Sequence, residues 1–542
     1  MKPVLDHTGA AVPPGVIAGI RRRAAMSSAY QAASYEHPAL ANWRPFNWSG
    51  QSSQASGRPE IASRIHDLAR NDGWASAGLS RLVDETLGSG FTLNALPNAM
   101  TLNLSQDDAD ELSDAIEAHW DDYWNDPGMW CDAERMASGP GILGLALRHR
   151  FADGEAAAHV VWRGDDNGVP LSPTGWGTCV HVVDPARVSN PNGRMDSDTL
   201  QQGVALDEWG AAIGYHVRRR HPGDSTSGAY GQFVWDYVPR DLDGRPNFIL
   251  TGERKRAGER RAIADIVSVV REHKQTSDIN DYELQAVALN AVMAAFVTSP
   301  FDLEELSETF DAGTVPAALK AYEATQGAYY KEAPVRLPGA QVNFLRAGED
   351  VRFSKPEHPN ANFESFFRQA LRKIASAIGL TYEQLTMDWS QVNYSSARAA
   401  MLVIYRSLTA RKDRFVTGFV QPIYRAWLEE LFDRRLIRLP AGAVSFDANP
   451  VAWCRAEWIG PGRGWVDPEK EAKAAALRMA TNVTTLRQET AEQGGDWKAN
   501  IIQRAREQRF AAKHGVDLGV VTPVATAAAS APVAADKEGT PA

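Results

Sequence analysis

Beyond residue 395, apolar residues recur three or four apart, at Met401, Ile404, Leu408, Phe415, Phe419, Ile423, Trp427 and Leu431. That is the spacing of one helix face, not the alternation of a strand. Arg406, Arg411, Lys412, Asp413 and Arg414 fall between them and read as a solvated face. The pattern predicts about 40 helical residues, roughly 60 Å long. Pro422 lies inside it, where a missing amide hydrogen bends a helix. A helix longer than a small domain is wide has to lean on something large. A polar, aromatic loop leads into it: Asp388-Trp389-Ser390-Gln391-Val392-Asn393-Tyr394.

The rest of the chain alternates between helical and strand-like patterning. Ile61, Ile65, Leu68 and Ala69 share a helix face, Asn71-Asp72-Gly73-Trp74 punctuates it, and a second helix over 75–87 stops at Gly88-Ser89-Gly90. A helix over 105–124 starts at a capping pattern of Ser105 and Asp108. Residues 131–138 also read as helical. Within 140–255, alternating stretches at 158–162, 180–183, 213–217 and 233–238 are separated by Gly, Pro, Asp and Asn clusters, which predicts strands in a mixed domain. Helix returns over 262–297; its last part, 284–297, is apolar nearly all round, as in a helix surrounded by protein. An irregular insert with short strands such as 341–345 follows. Then comes an amphipathic helix with Phe363, Phe366, Phe367, Ala370, Leu371, Ile374 and Ile378 on one side, ended by Gly379. After the long helix the pattern predicts strands near 443–446 and 451–458, then helices at 468–480, 485–492 and 497–513. The order is that of an α+β fold, predominantly helical.

The ends have biased composition. Residues 1–60 are rich in Ala, Ser, Pro and Asn, with Arg21-Arg22-Arg23 and the aromatics Trp43, Phe46 and Trp48. They read as an extended arm docking on a neighbour or on the body, or as a partly disordered terminus. Residues 519–542 are Ala/Pro/Thr-rich and read as a disordered tail.

The 542 residues are 44% hydrophobic and 23% charged, ordinary for a folded protein of several domains. Sixteen tryptophans suit cores and subunit interfaces alike. Three cysteines without a CxxC pair predict neither a disulfide framework nor a zinc ribbon, which fits a reducing cytoplasm. No run of 18 apolar residues and no signal-peptide segment occurs, so a membrane partner is not expected. The net charge of −10 argues against tight wrapping of nucleic acid; any contact with DNA should be local.

Candidate chemistry is sparse. Gly139-Pro140-Gly141-Ile142-Leu143-Gly144 is a formal GxGxxG, and a nucleotide-binding enzyme using this loop is the alternative reading of the chain. It lacks the preceding strand, and Pro140 removes a donor, so a helix-to-helix turn is the plainer account. No Gly-Lys dipeptide, GxSxG or HExxH occurs. Paired carboxylates at Asp121-Asp122, Asp165-Asp166 and Glu304-Glu305 sit in polar surroundings. His216 and His221 around Arg218-Arg219-Arg220 read as an anion site or a solvated loop flank. Arg254, Lys255, Arg256, Arg260 and Arg261 read as an exposed basic turn or as contacts to phosphate or an acidic partner. No catalytic residue, cofactor or metal site is predicted.

Several ordered stretches nevertheless resemble one family, the lambda-type portal proteins of tailed bacteriophages. Asn393-Tyr394-Ser395-Ser396-Ala397-Arg398 resembles that family's NYSSAR motif, and Ile374-Ala375-Ser376-Ala377-Ile378-Gly379-Leu380-Thr381-Tyr382-Glu383-Gln384-Leu385 its IAxxxGLxYExL segment. Leu68-Ala69-Arg70-Asn71-Asp72-Gly73-Trp74-Ala75, the turns Asp153-Gly154-Glu155 and Val183-Asp184-Pro185, Gly203-Val204, Gly214-Tyr215-His216-Val217 and His221-Pro222 are similar too. So is Trp465-Val466-Asp467-Pro468-Glu469-Lys470-Glu471, which resembles a WVDPxKE box. The chain departs from the family's RPGQxRG pattern, carrying Ala257, Glu259 and Ala262 in place of Pro, Gln and Gly.

The resemblance implies a ring, commonly of about twelve subunits, with wing, stem, clip and crown around an axial DNA channel. It implies an arm at 1–60, a wing at 61–280, stem helices at 281–297 and 359–380, and a clip at 298–358. A tunnel-loop region at 381–396, a long kinked helix with returning wing strands at 397–465, a crown at 466–518 and a tail at 519–542 complete the plan. Asp388, Trp389, Ser390, Gln391, Asn393 and Tyr394 would face DNA in the channel, and Pro422 would kink the helix behind them. The implied partners are further copies of the chain, the major capsid protein and scaffold, the terminase large subunit, a head–tail connector and double-stranded DNA. The place of action would be the virion's portal vertex, with assembly in the host cytoplasm. About twelve copies would carry roughly −120 charges, and a conduit that repels phosphate lets DNA slide.

Overall fold

The computed structural model describes residues 42–165, 167–224, 233–296, 363–464 and 467–516, with a few short pieces before residue 42. The expected insert at 298–358, the tail at 519–542, most of the arm, Glu304-Glu305 and Trp465-Val466 lie outside the described residues. The chain forms two units: Met1–Arg58 with Arg254–Arg261, and Pro59–Glu253 with Ala262–Ala542.

In the first unit, Ser49 caps helix α1 (Gly50–Ala55) by accepting the Ser52 amide hydrogen. Residues 254–261 are stapled to this region although two hundred positions away in sequence. The Arg256 guanidinium donates to the Trp48 carbonyl at 3.0 Å, and Gln54 Nε2 donates to the Arg261 carbonyl at 2.8 Å. The basic turn closes on the Glu259 carboxylate, which accepts the amides of Lys255 (2.7 Å) and Arg256 (3.2 Å). Glutamate where the family pattern has glutamine therefore keeps an oxygen acceptor, and Gly258 supplies the positive φ of +86°.

The second unit runs in order through helices α2 (Arg58–Asn71) and α3 (Gly73–Leu87), strand β1 (Thr92–Ala95), α4 (Gln106–Trp124) and α5 (Gly139–Ala152). Strands β2 (Glu155–Trp162), β3 (Thr178–Val183), β4 (Leu200–Gln201), β5 (Val204–Leu206), β6 (Ala212–Arg218), β7 (Trp235–Pro239), β8 (Asp241–Leu242), β9 (Arg245–Pro246) and β10 (Phe248–Gly252) follow. Helices then dominate: α6 (Val270–Phe296), α7 (Phe363–Ile378), α8 (Tyr382–Thr386), α9 (Tyr394–Phe415) and α10 (Gln421–Asp433). Strand β11 (Ala456–Ile459) and helices α11 (Pro468–Ala480), α12 (Leu486–Glu492) and α13 (Trp497–Lys513) close it. The pairings are antiparallel: β10-β2-β3, β4-β5-β6-β7, the β8-β9 hairpin, and β1 with β11, Thr92 facing Ile459.

Side-chain caps set the helix starts, after Ser105 where the sequence places it, and after Asp72 at Gly73, two residues before the expected 75. Asp72 accepts from the Ala75 amide at 2.7 Å, and Ser105 from Asp108 at 3.1 Å. Five expectations change. Residues 131–138 are not helical, because the Asp132 carboxylate captures the amides of Glu134, Met136 and Ala137 in a tight turn. The Gly139–Gly144 stretch is not a helix-to-helix turn either: it opens α5, with no strand before it and Gly139 lying flat on Trp124. Residues 443–446 form no strand; Val444 is tied by its amide to the Leu102 carbonyl and accepts from the Trp453 indole. Pro450–Trp453 is one helical turn, nucleated by the Asn449 cap and the proline after it, which leaves only β11 as strand. Lastly, α6 starts at Val270 after a 3-10 turn, and Leu284 (62%) and Val287 (52%) are exposed where the sequence suggests surrounding protein. None of the described residues covers them.

The core is aromatic and built around the long helical run. Trp120 of α4 stacks on Trp124 (4.8 Å between ring centroids) and meets the edges of Trp427 (5.0 Å), Trp458 (5.5 Å) and Tyr424 (5.6 Å). A second cluster joins Ile65, Leu79 and Leu82 to Leu371, Ile374 and Ile378 of α7 and to Leu408.

Glu117 of α4 sits at the edge of the aromatic core and accepts the Ala95 amide at 2.8 Å. Burial pushes its carboxyl up to about 7, against the pull of Lys498. A carboxyl raised in the fold prefers its neutral form there. Its contribution is complete below about pH 4.5 and declines as pH rises towards 7. Glu117→Gln should therefore leave stability near pH 4 unchanged and raise it by roughly 2 kcal/mol at pH 8, allowing for partial exposure. Urea midpoints at the two pH values check this; equal shifts at both would contradict it.

Candidate functional site

The loop at 387–393 joins α8 to α9 and is fixed at both ends. Upstream, Thr381 and Gln384 form a capping box, the Thr381 hydroxyl accepting the Gln384 amide (3.0 Å) and Gln384 Oε1 accepting the Thr381 amide (3.1 Å). The Arg81 guanidinium donates to the Gln384 carbonyl. Met387 ends α8 in the left-handed region, φ +59°. Inside the loop the bonds are local: the Asp388 carboxylate accepts the Ser390 amide at 3.1 Å, and the Val392 amide donates to the Trp389 carbonyl at 3.3 Å. Hydrogen bonds from Ser390 hold the Asp388 carboxyl below its ordinary value. Ser390, Gln391 and Asn393 are exposed, and Trp389 is 38% exposed. The loop presents an indole and polar groups and carries no Lys or Arg.

Downstream, Asn393 caps α9 by accepting the Ser396 amide at 2.9 Å, and Tyr394 begins the helix. Arg398, one turn on, pairs with Glu471 of α11 at 3.1 Å. Asp467 caps α11, accepting the Lys470 amide at 3.3 Å. The two motifs singled out in the sequence thus meet at an ion pair, a contact that spacing along the chain cannot show.

Behind the loop, α9 passes through a π turn at Val416–Val420 directly into α10. Pro422 has no amide hydrogen for the Gly418 carbonyl, and a wider turn is where a helical ladder absorbs such a loss. A Cβ at Gly418 would lie 2.1 Å from Thr251 Oγ1, so β10 packs against this turn only because the residue is glycine. Beyond it, the buried Glu430 carboxylate accepts the amides of Gly177 (2.8 Å) and Thr178 (2.9 Å), tying α10 to β3.

The other candidates are dispersed. Arg254, Lys255 and Arg256 are exposed, Arg260 half-buried and Arg261 buried, all in the first unit. Arg219 makes a bidentate pair with Asp236, and Arg218 lies over Phe233 and Trp235, so two of the three arginines flanked by His216 and His221 are engaged in holding strands. A buried group missed in the sequence is Asp153, between His66 (2.8 Å) and His149 (2.7 Å). Burial alone would raise its carboxyl, yet the two histidine bonds hold it at about 2. Among the described residues no His, Cys, Asp or Glu group is placed to hold a metal, and no helix is long and apolar enough to cross a membrane.

Comparison with known proteins gives this geometry a family. Residues 36–412 match the family of phage portal proteins, lambda family. The portal protein of Escherichia phage N15 is 30% identical over 477 residues, 86% of this chain and 87% of that one. Portal protein B of Escherichia phage lambda is 29% identical over 475 residues, with the same coverage. Among solved structures, one from the neck of an empty GTA particle computed with C6 symmetry is similar at a TM-score of 0.40 and 14% identity, covering 82% of this chain and 97% of that one. The family match reaches through the loop and the Asn393–Arg398 motif into α9, and the chain belongs to the lambda family of phage portal proteins.

Proposed function

We propose that this portal protein assembles with about eleven further copies into a ring at one capsid vertex, and that double-stranded DNA enters and leaves through the ring's axis. The observation that carries the reading is the family match over 36–412, which ends within the helix that the Asn393–Arg398 motif opens. In this assembly residues 61–280 form the wing, 281–297 and 359–380 the stem, 298–358 the clip and 466–518 the crown. Apolar residues exposed among the described residues support such neighbours: Tyr282, Leu284 and Val287 on α6 and Phe366 on α7. The ring is also the docking platform for capsid protein and scaffold, terminase large subunit and head–tail connector, and it acts without catalysis. It forms in the host cytoplasm and remains in the virion.

Loop 388–394 faces the channel in this reading. Its lack of basic groups lets phosphate pass without the counterion release that makes a tight, salt-sensitive grip. Trp389 supplies bulk. Light scattering on the assembled protein should give a particle near 700 kDa, about twelve times the 59.2 kDa chain. In particles carrying Trp389→Gly, retained DNA should fall about threefold or more while ring formation is unchanged, since glycine removes the bulk that the indole places against the duplex in every copy of the ring. Packaging and retention both equal to the parent would refute the loop's role.

A further inference from the structure

We infer that Arg398–Glu471 is the positioning contact through which the C-terminal helical segment, residues 467–513, sets the pose of loop 387–393. The DNA consequence of this inference rests on the proposed place of that loop in the channel; the mechanical part does not.

Three observations converge. First, the loop's own hydrogen bonds are short-range, so its pose is decided at its ends. The upstream end is held by the capping box and Arg81. Downstream, Asn393 caps its own helix, and Arg398 in the second turn of α9 reaches another element, α11.

Second, the partner is firmly placed. The Glu471 side chain is 13% exposed, against 39% for Arg398, and its amide donates to the Asp467 carbonyl at 3.0 Å. Arg398 faces both Glu471 and the Asp467 carboxylate; Lys470 already pairs with Asp467 at 2.8 Å, which leaves Glu471 as the arginine's direct counterion.

Third, the segment that carries Glu471 is attached by polar contacts. Helix α11 has no buried residue. Its neighbours reach the body through Arg487–Glu457, Arg463–Glu492 (3.3 Å) and Lys498–Asp114 (2.5 Å). A cleft of about 550 Å³ separates α9 from α11, lined by Met401, Leu402, Tyr405, Ala474 and Arg478. One backbone bond, from the Arg463 amide to the Glu492 carbonyl at 3.2 Å, and the close approach of Gly462 to Gln493 add to the attachment. Elements joined by a few polar contacts shift as units at lower energy than elements sharing a packed core. A displacement of α11 therefore pulls on Arg398 and, through one turn of helix, on the loop.

The test uses the assembled ring with Arg398→Glu, Glu471→Arg and the double swap, plus Glu471→Gln as the variant that keeps side-chain shape. Amide exchange is read over 387–400, where the Val392, Ser396 and Ala397 amides report the loop's end and the first turn of α9. Loss of one ion pair of this exposure should speed exchange there about fivefold in either single reversal, and the swap should restore it to within about twofold. Unchanged exchange at 387–400 in all singles overturns the inference, as does acceleration that the swap fails to restore. Faster loop exchange that the swap restores, with DNA retention unaffected, upholds the positioning contact and removes the loop's proposed contact with DNA instead.

Discussion

Trp427→Ala is expected to lower the stability of the second unit by about 3–5 kcal/mol, the range for deleting a fully buried tryptophan. Its indole is wholly inaccessible and touches four other rings: Trp120, Tyr123 (5.9 Å), Trp176 (5.3 Å) and Tyr424 (6.0 Å). These come from α4, from the segment before β3, and from α10 itself, so the cavity left by alanine is walled by three parts of the fold and cannot collapse by moving one. Trp427→Phe is the informative control. It keeps most of the aromatic packing and removes an indole N–H that has no hydrogen-bond partner in the core, so its cost should stay below about 2 kcal/mol. Urea unfolding followed by far-UV circular dichroism measures both. Equal losses for Ala and Phe would mean that ring packing is not what Trp427 contributes.

Glu430→Ala should be nearly as damaging, again about 3–5 kcal/mol, for an electrostatic reason. The carboxylate is the acceptor for the Gly177 and Thr178 amides at the start of β3, and Arg434 lies 3.6 Å from it. Alanine leaves two buried donors unanswered and the arginine without its counterion. Glu430→Gln retains one oxygen acceptor and turns an NH2 group towards the other amide, so about half the loss is expected. Exchange at Gly177 and Thr178 localises the effect: it should accelerate strongly in Glu430→Ala, while the distant β5–β6 amides stay protected. The carboxylate anchors α10 to the sheet. Loosening it frees the far end of the helical run whose near end carries the loop, and ring assembly should suffer with stability.

Pro422 illustrates how local chemistry and packing share a result. The proline removes a donor, a fact local to the sequence. The π turn at Val416–Val420 and its seat against Thr251 depend on β10, about 170 residues upstream. The candidate site divides in the same way. The pattern put the start of the long helix near residue 395; the Asn393 cap, a side chain reaching three residues along its own backbone, moves it to Tyr394. Glu471 was legible only as part of a motif, since its partner lies 73 positions away.

Residues 131–138 and 443–446 show where reading by pattern fails. Both have plausible periodicity, and both are governed by competing hydrogen bonds: those of the Asp132 carboxylate in one case, those of Leu102 and Trp453 in the other. Residues 284–287 failed differently. They read as surrounded by protein, and among the described residues Leu284 and Val287 are exposed.

The amino-acid sequence by itself determined the capped helix start at Ser105, the helix at 468–480, the strand-rich middle, the family and the loop that precedes the long helix. Each of these rests on residues within a turn or two of one another, or on motifs copied in order. Only the tertiary structure decided the aromatic cluster about Trp120, the Glu430 anchor, the glycine seat of the π turn and the Arg398–Glu471 pair. Those contacts join residues separated by tens to hundreds of positions, and which distant partners meet is set by how the whole core packs, not by the spacing of either residue in its own segment.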